Sequence, residues 1–316
     1  MNPIRILAAV DRFPEDDAVL LRGMEIAAHH GVALSIVHIV DLPDHAAGAA
    51  LNDPARGQAV FAARDRIEAA LRRHEIDPAD TDIRIEAGSP AQRLVEICDL
   101  LKPTLVVMRA HHKSGIIEKL LGSTTDKVIA AGIAPVLVVR QDIDKPYRRV
   151  LLAIDGPDNA PAALSFVAAL LPNAALHLVQ AVQMAHQLEE AMLRVGLAQS
   201  DLSAHHDVLA KDAENRLRSL VAGLVPPVTW QVLRGEPAAE LVRATHSPEV
   251  DLIALGPNRS SLIRRAFVGS VARRLLRDCA CDVLISRPVE ERRPETVERA
   301  ERADEQPTPN LKQLSI

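Results

Sequence analysis

Residues 252–286 read LIALGPNRSSLIRRAFVGSVARRLLRDCACDVLIS. The stretch opens on an apolar run, 252–255, of the length of a strand buried on both faces. Gly256-Pro257 stops that run as turn residues do. A loop carrying Arg259, Arg264 and Arg265 follows, and Gly269-Ser270 opens a helix predicted to run to about Arg277. A second apolar strand, 283–286, closes the unit. A glycine turn leaving a strand, followed by Gly-Ser at a helix start, suits an anion. The backbone can come close to the ligand there, and free N–H groups with the helix dipole favour phosphate. The same glycines could equally serve tight turns alone, and one copy does not choose between the two readings.

Residues 105–139, LVVMRAHHKSGIIEKLLGSTTDKVIAAGIAPVLVV, repeat the layout of strand, loop, Gly122-Ser123, helix and strand. The shared pattern, G-x2-G-x9-G-[S/T] after a strand, resembles the phosphate-binding loop of the universal stress protein family. In the later copy Gly256 fills the first position, Arg259 stands where the second glycine belongs, and Gly269-Ser270 ends the motif. In the earlier copy Arg109 and His112 replace both early glycines, and Gly122-Ser123 is what remains.

Working outward, apolar strands at 4–10, 34–40, 83–86 and 105–108 alternate with helices at 15–30, 58–74 and 90–101, Ser89 being a predicted cap and Pro90 a first helical residue. Residues 149–286 repeat this order. RVLLAIDG matches IRILAAVD, LHLVQAV matches LSIVHIV, and WQVLRGEPAAELV matches RIEAGSPAQRLV. Asp155 lies 144 residues after Asp11, Gly235 147 after Gly88, and Gly269 147 after Gly122. A period that long is duplication of a whole domain, and alternating strands and helices argue for the α/β class with doubly wound parallel sheets. The expected organisation is one domain over 1–141, a linker over 142–148, a second domain over 149–288 and a charged, disordered tail over 289–316. The short linker implies that the domains pack together.

On this layout the chain is similar to the tandem, E-type universal stress proteins of bacteria over residues 3–288. The resemblance implies five strands per domain in the order 3-2-1-4-5, with a ligand crevice where the order reverses, between strands 1 and 4. In members that bind ATP, the resemblance places Asp11 or Asp155 by the adenine and ribose and Val40 or Val182 against the base. The loops of Gly122-Ser123 or of Gly256, Arg259, Gly269 and Ser270 would hold the phosphates. It also implies that last strands meet, so 135–139 (PVLVV) and 282–286 (DVLIS) are expected to pair across a pseudo-two-fold. Uncovered, such apolar edges invite aggregation. A homodimer of the whole chain is a further possibility of the resemblance.

Composition narrows the function. Four Phe, one Tyr and one Trp in 316 residues cannot build a stacking platform for single-stranded nucleic acid. The net charge of −5 does not invite nucleic acid or an acidic membrane as a general partner. No apolar run reaches membrane-span length, MNPIRILAAVDRF has no signal-peptide layout, and three Cys make no disulfide framework. A reduced, cytoplasmic protein is therefore expected. Residues 1–144 carry 16 basic and 21 acidic groups, whereas 145–288 carry 16 and 14. Arg259, 264, 265, 273, 274 and 277 cluster on the second loop and helix, where they either bind phosphate or form a solvated face. Cys279 and Cys281 read as small buried thiols, and the His pairs at 29–30 and 205–206 as surface residues. His111-His112 lies in a motif loop, with a ligand contact left open. Residues 183–222 read as one long helical segment.

Three classes of function follow. The first is a stress-response binding protein sensing ATP or another small anionic ligand, mainly in the second domain. The second is an enzyme of the same broad nucleotide-binding group. That class wants HxGH-like or SGGxDS-like motifs after strand 1, where this chain has DRFPED and DGPDNA, and no acid/base and nucleophile set is evident. Weak ATP hydrolysis is the form of catalysis left. The third is an interaction module whose pockets are vestigial.

Overall fold

A computed structural model describes residues 4–41, 54–109, 123–142, 145–156, 158, 160–196, 198–225, 227–256 and 269–286. In the first half β1 (Ile6–Val10), β2 (Leu34–Asp41), β3 (Thr81–Gly88), β4 (Leu105–Arg109) and β5 (Val136–Val139) alternate with α1 (Asp17–His29), α2 (Pro54–Arg73), α3 (Pro90–Leu101) and α4 (Ser123–Ala131). The second half runs β6 (Arg149–Ala153), α5 (Ala160–Leu170), β7 (Ala175–Val182), α6 (His186–Arg194), α7 (Gln199–Val221), β8 (Thr229–Arg234), α8 (Pro237–Ala244), β9 (Leu252–Leu255), α9 (Ser270–Asp278) and β10 (Asp282–Ile285). All the strands belong to one ten-stranded sheet in the order β3-β2-β1-β4-β5-β10-β9-β6-β7-β8. Read outward from its centre, each half shows the expected order 5-4-1-2-3, and every pairing within a half is parallel.

Parallel strands covered on both faces need apolar residues at successive positions, which is why β4, β5 and β9 read as unbroken hydrophobic runs. Alternate residues feed two cores. One, with Ile6, Ala8, Leu105, Leu152, Leu178 and Leu252, faces α1, α2, α5 and α7. The other, with Leu7, Val106, Leu151, Val179 and Ile253, faces α3, α4, α8 and α9. Both clusters run without a break through the two halves.

The structure corrects several local readings. The segment 183–222 is two helices, α6 and α7, and α2 starts four residues before the predicted position 58. Ser89 does precede α3, but its side chain makes no capping bond; in the second half Glu236 takes that role, accepting from the Ala238 and Ala239 N–H groups. Gly88 and Gly235, paired by the repeat, share φ of 135° and 133°, a left-handed conformation that L side chains rarely adopt. His30 is a junction residue, its Nε2 3.2 Å from the Leu170 carbonyl of α5.

At the centre of the sheet β5 and β10 run antiparallel, with Val138 opposite Val283, Leu137 opposite Leu284 and Val136 opposite Ile285. Asp282, 2% exposed, anchors this seam. Its Oδ1 accepts from the backbone N–H of Arg140 at 2.7 Å and of Gln141 at 3.3 Å. Its Oδ2 accepts from the Tyr147 hydroxyl at 2.6 Å, with the Arg22 guanidinium at 4.0 Å. Arg22 also lies 3.6 Å over the Tyr147 ring and pairs with Glu25 at 2.5 Å. Across the same seam the Arg140 side chain donates to the Leu276 and Arg277 carbonyls.

Removing one partner of such a buried set strands the others, so Asp282→Ala should cost about 3–5 kcal/mol in equilibrium urea unfolding, and Asp282→Asn clearly less. Burial, opposed by the Tyr147 hydrogen bond, raises the Asp282 carboxyl above its ordinary pKa. A folded pKa above the unfolded one gives a contribution that is full below the unfolded pKa and is lost as pH rises through the folded one. Across that mildly acidic window, wild type should therefore lose stability relative to Asp282→Asn; a constant difference between them would contradict this.

Candidate functional site

The carboxyl ends of β9, β6 and β7 lie side by side in the second half, because β6 pairs with both neighbours. Ala153 is opposite Leu255 on one side and Val179 on the other, so the next residues, Gly256, Ile154 and Gln180, form one cross-strand row. The Gly256 N–H extends the ladder to the Ala153 carbonyl at 3.0 Å. A Cβ on Gly256 would lie 3.4 Å from that carbonyl oxygen, 3.6 Å from Ala163 Cβ and 3.8 Å from Ile154 Cγ2. Glycine thus puts no side chain between Ile154 and α5 at this strand end. Beyond this row, Asp155 is exposed and Val182, the last residue of β7, is half-buried. Gly269 is the N-cap of α9 and exposed, and among the described residues nothing lies within 4 Å of the Cβ it lacks. Ser270 is the first residue of the helix and is exposed. The N–H groups at a helix start suit an anion.

The equivalent row of the first half is Arg109, Val10 and His38, and it is filled from within. Arg109 sends its guanidinium to the Glu15 carbonyl and to 3.6 Å from the Asp142 carboxylate. His38 is buried, with Nδ1 2.9 Å from the Val10 carbonyl oxygen. A carbonyl can only accept, so Nδ1 is the donor. The turn after β1 is closed by Asp16, fully buried, whose carboxylate accepts from the Asp11 N–H at 2.6 Å and the Arg12 N–H at 3.0 Å. Asp11 itself is exposed and 3.5 Å from Arg12, so the turn is held by the residue five further on. Counted 144 residues on, the second half has Ala160 where the first has Asp16. Val40 is half-buried near the end of β2, and Ser123 begins α4. Gly122, His111, His112, Arg259, Arg264 and Arg265, like the segment 289–316, lie outside the described residues.

Sequence reasoning passed over Asp16, His38 and Gln180. A polar residue interrupting an apolar strand at matching places in both repeats was the available signal for the last two. The arginines of α9 are partly accounted for by local pairs. Arg274 meets Glu236 at 2.8 Å and Asp278 at 3.9 Å, and Arg277 meets Asp278 at 3.0 Å. Cys98, Cys279 and Cys281 are free and buried, and burial pushes the Cys98 thiol up to about 12. Among the described residues there is no group of three or more His, Cys, Asp or Glu able to hold a metal, and no helix is long and apolar enough to cross a membrane.

This architecture has relatives. The family model described as "Universal stress protein family" matches residues 4–140 and again 146–287. The universal stress protein A homolog 1 of Coxiella burnetii is 26% identical over 141 residues, 44% of this chain and 97% of its own. A protein of Pseudomonas aeruginosa PAO1 described as functionally unknown superimposes with a TM-score of 0.61 at 16% identity, covering 90% of this chain and 92% of its own. A universal stress protein of Archaeoglobus fulgidus gives a TM-score of 0.58 at 16% identity, covering 91% and 99%. With both halves matched over nearly their whole length, the chain belongs to the universal stress protein family and carries two of its domains in tandem.

Proposed function

We propose that this protein is a stress-response binding protein whose ligand, ATP or a related anionic molecule, occupies the crevice of the second domain. The observation that carries this reading is the contrast between Gly256 and Arg109 at one position of the repeat. Gly256 puts no side chain at the end of its strand, whereas Arg109 reaches to the Glu15 carbonyl and towards Asp142. Asp155 and Val182 would flank the base and ribose, and Gly256, Arg259, Gly269 and Ser270 the phosphates. In the first half Arg109, His38 and Asp16 bond to the protein's own backbone, and for the counterparts Asp11, Val40, Gly122 and Ser123 a vestigial pocket is the better reading. Three unpaired, buried thiols support a reducing compartment such as the cytoplasm. The activity proposed is binding; turnover of ATP would be slow and incidental to it.

Calorimetric titration of the full chain with Mg-ATP should therefore give one site per chain. Gly256→Arg, which copies the first domain, and Gly269→Val should each weaken binding at least ~100-fold, as a side chain enters the space needed for close backbone approach. Gly122→Val should leave it unchanged. Loss on Gly122→Val with Gly269→Val silent would assign the ligand to the wrong domain here.

Asp16 serves the fold of the first domain. Removing hydrogen bonds from a buried carboxylate to two backbone N–H groups costs about 1.5–3 kcal/mol each at most. Asp16→Ala should lower the urea midpoint accordingly while leaving ATP affinity within error of wild type. A matching fall in affinity would tie the first crevice to the ligand.

A further inference from the structure

Gln180 is 8% exposed, and among the described residues its buried Oε1 has no hydrogen-bond partner. Buried side-chain acceptors are nearly always paired, because desolvating one without compensation is costly. The position is not tolerant by default: its counterpart in the first half, His38, is satisfied by the Val10 carbonyl. Side chains alternate along a strand, and Leu178, two residues earlier, belongs to the core facing α5 and α7. Gln180 therefore projects on that face, which is the face of Ile154 and of the Cβ that Gly256 lacks. The orphan acceptor sits at the opposite end of the row from the glycine.

We propose that Gln180 determines ligand specificity in the second crevice, its carboxamide oxygen accepting a hydrogen bond from an N–H or O–H donor on the ligand. The inference rests on the reading of that crevice as the binding site. Gly256 and Gln180 are two strand spacings apart, roughly 9–10 Å. A lone phosphate or sulfate beside Gly256 cannot reach across that distance. The ligand class that fits is elongated, with an anionic group at one end and a donor-bearing head, such as an amine-substituted ring, at the other. A head lacking the donor leaves Oε1 buried and unpaired in the complex, so the site discriminates by penalty as well as by attraction.

The test uses the full chain and three probes: ATP, purine riboside 5′-triphosphate, which lacks the ring amine, and inorganic tripolyphosphate. Wild type should bind ATP ~10- to 100-fold tighter than the amine-free analogue, the span expected of one buried hydrogen bond. Gln180→Met, close in shape but unable to accept strongly, should bring the two to equal affinity and leave tripolyphosphate unchanged. Should that variant fail to fold, Gln180→His substitutes the residue that the first domain carries there, and the wild-type ratio decides independently. Equal affinity in wild type, or a ratio that survives Gln180→Met, overturns the role of Gln180 while Gly256-dependent binding stands. If neither ATP nor tripolyphosphate binds wild type, the assignment of the crevice falls, and this inference with it.

Discussion

An antiparallel contact between two four-residue strands holds this protein together. β5 and β10 would each be the naked edge of a five-stranded sheet, with a row of unpaired N–H and C=O groups beside apolar side chains. Joining them satisfies both edges at once and makes both hydrophobic cores continuous. A backbone ladder alone would tolerate slippage, since Val, Leu and Ile on the two strands are nearly interchangeable. Asp282 removes that freedom. Its carboxylate is satisfied only when Arg140, Gln141 and Tyr147 come to it from the preceding half and the linker, with Arg22 stacked behind. Registration by a buried polar group has a stability cost when the group is charged, and a benefit in uniqueness.

The two crevices show how far one fold can carry different chemistry. Both rows at the carboxyl edge have the same backbone pairing and the same helices above them. What differs is three side chains: Arg109, His38 and Asp16 in one, Gly256, Gln180 and Ala160 in the other. In the first set Arg109, His38 and Asp16 each bond to nearby backbone, and Arg109 also faces Asp142. In the second, Gly256 puts no side chain at its strand end, and among the described residues the buried Oε1 of Gln180 has no hydrogen-bond partner. The scaffold sets where a ligand could lie, and the side chains decide whether there is room and what is read.

Much of the scaffold was legible because buried parallel strands leave a plain trace: 105–108, 252–255 and the two copies of strand 1 are apolar runs, and all but the first end on Gly or Asp. The resemblance to the universal stress protein family then supplied strand order and the meeting of the last strands. What escaped was of two kinds. α5, APAALSFVAAL, is apolar nearly all round, so periodicity gave no helical signal and no reading was made of it. Asp16 and Asp282 escaped because their value lies in partners brought close by folding. Asp282 is 142 residues from Arg140 in sequence and 2.7 Å from its N–H in space. Arg109 was legible as a departure from the motif, yet its partners Glu15 and Asp142 were not. The arginines of α9 looked like a phosphate-binding cluster on charge alone, and only the positions of Glu236 and Asp278 show how two of them are engaged.

The central seam also changes what a mutation means. When two identical subunits meet about a two-fold axis, every substitution is made twice, and neither copy can lose its pocket while the other keeps it. Here the same pseudo-symmetric contact lies inside one polypeptide, so the partners are coded separately and remain bound in fixed proportion. Arg109 and Asp16 could enter one half without touching Gly256 or Ala160 in the other. Covalent fusion thus lets the side chains of the two halves diverge independently, at no cost to the contact that joins them.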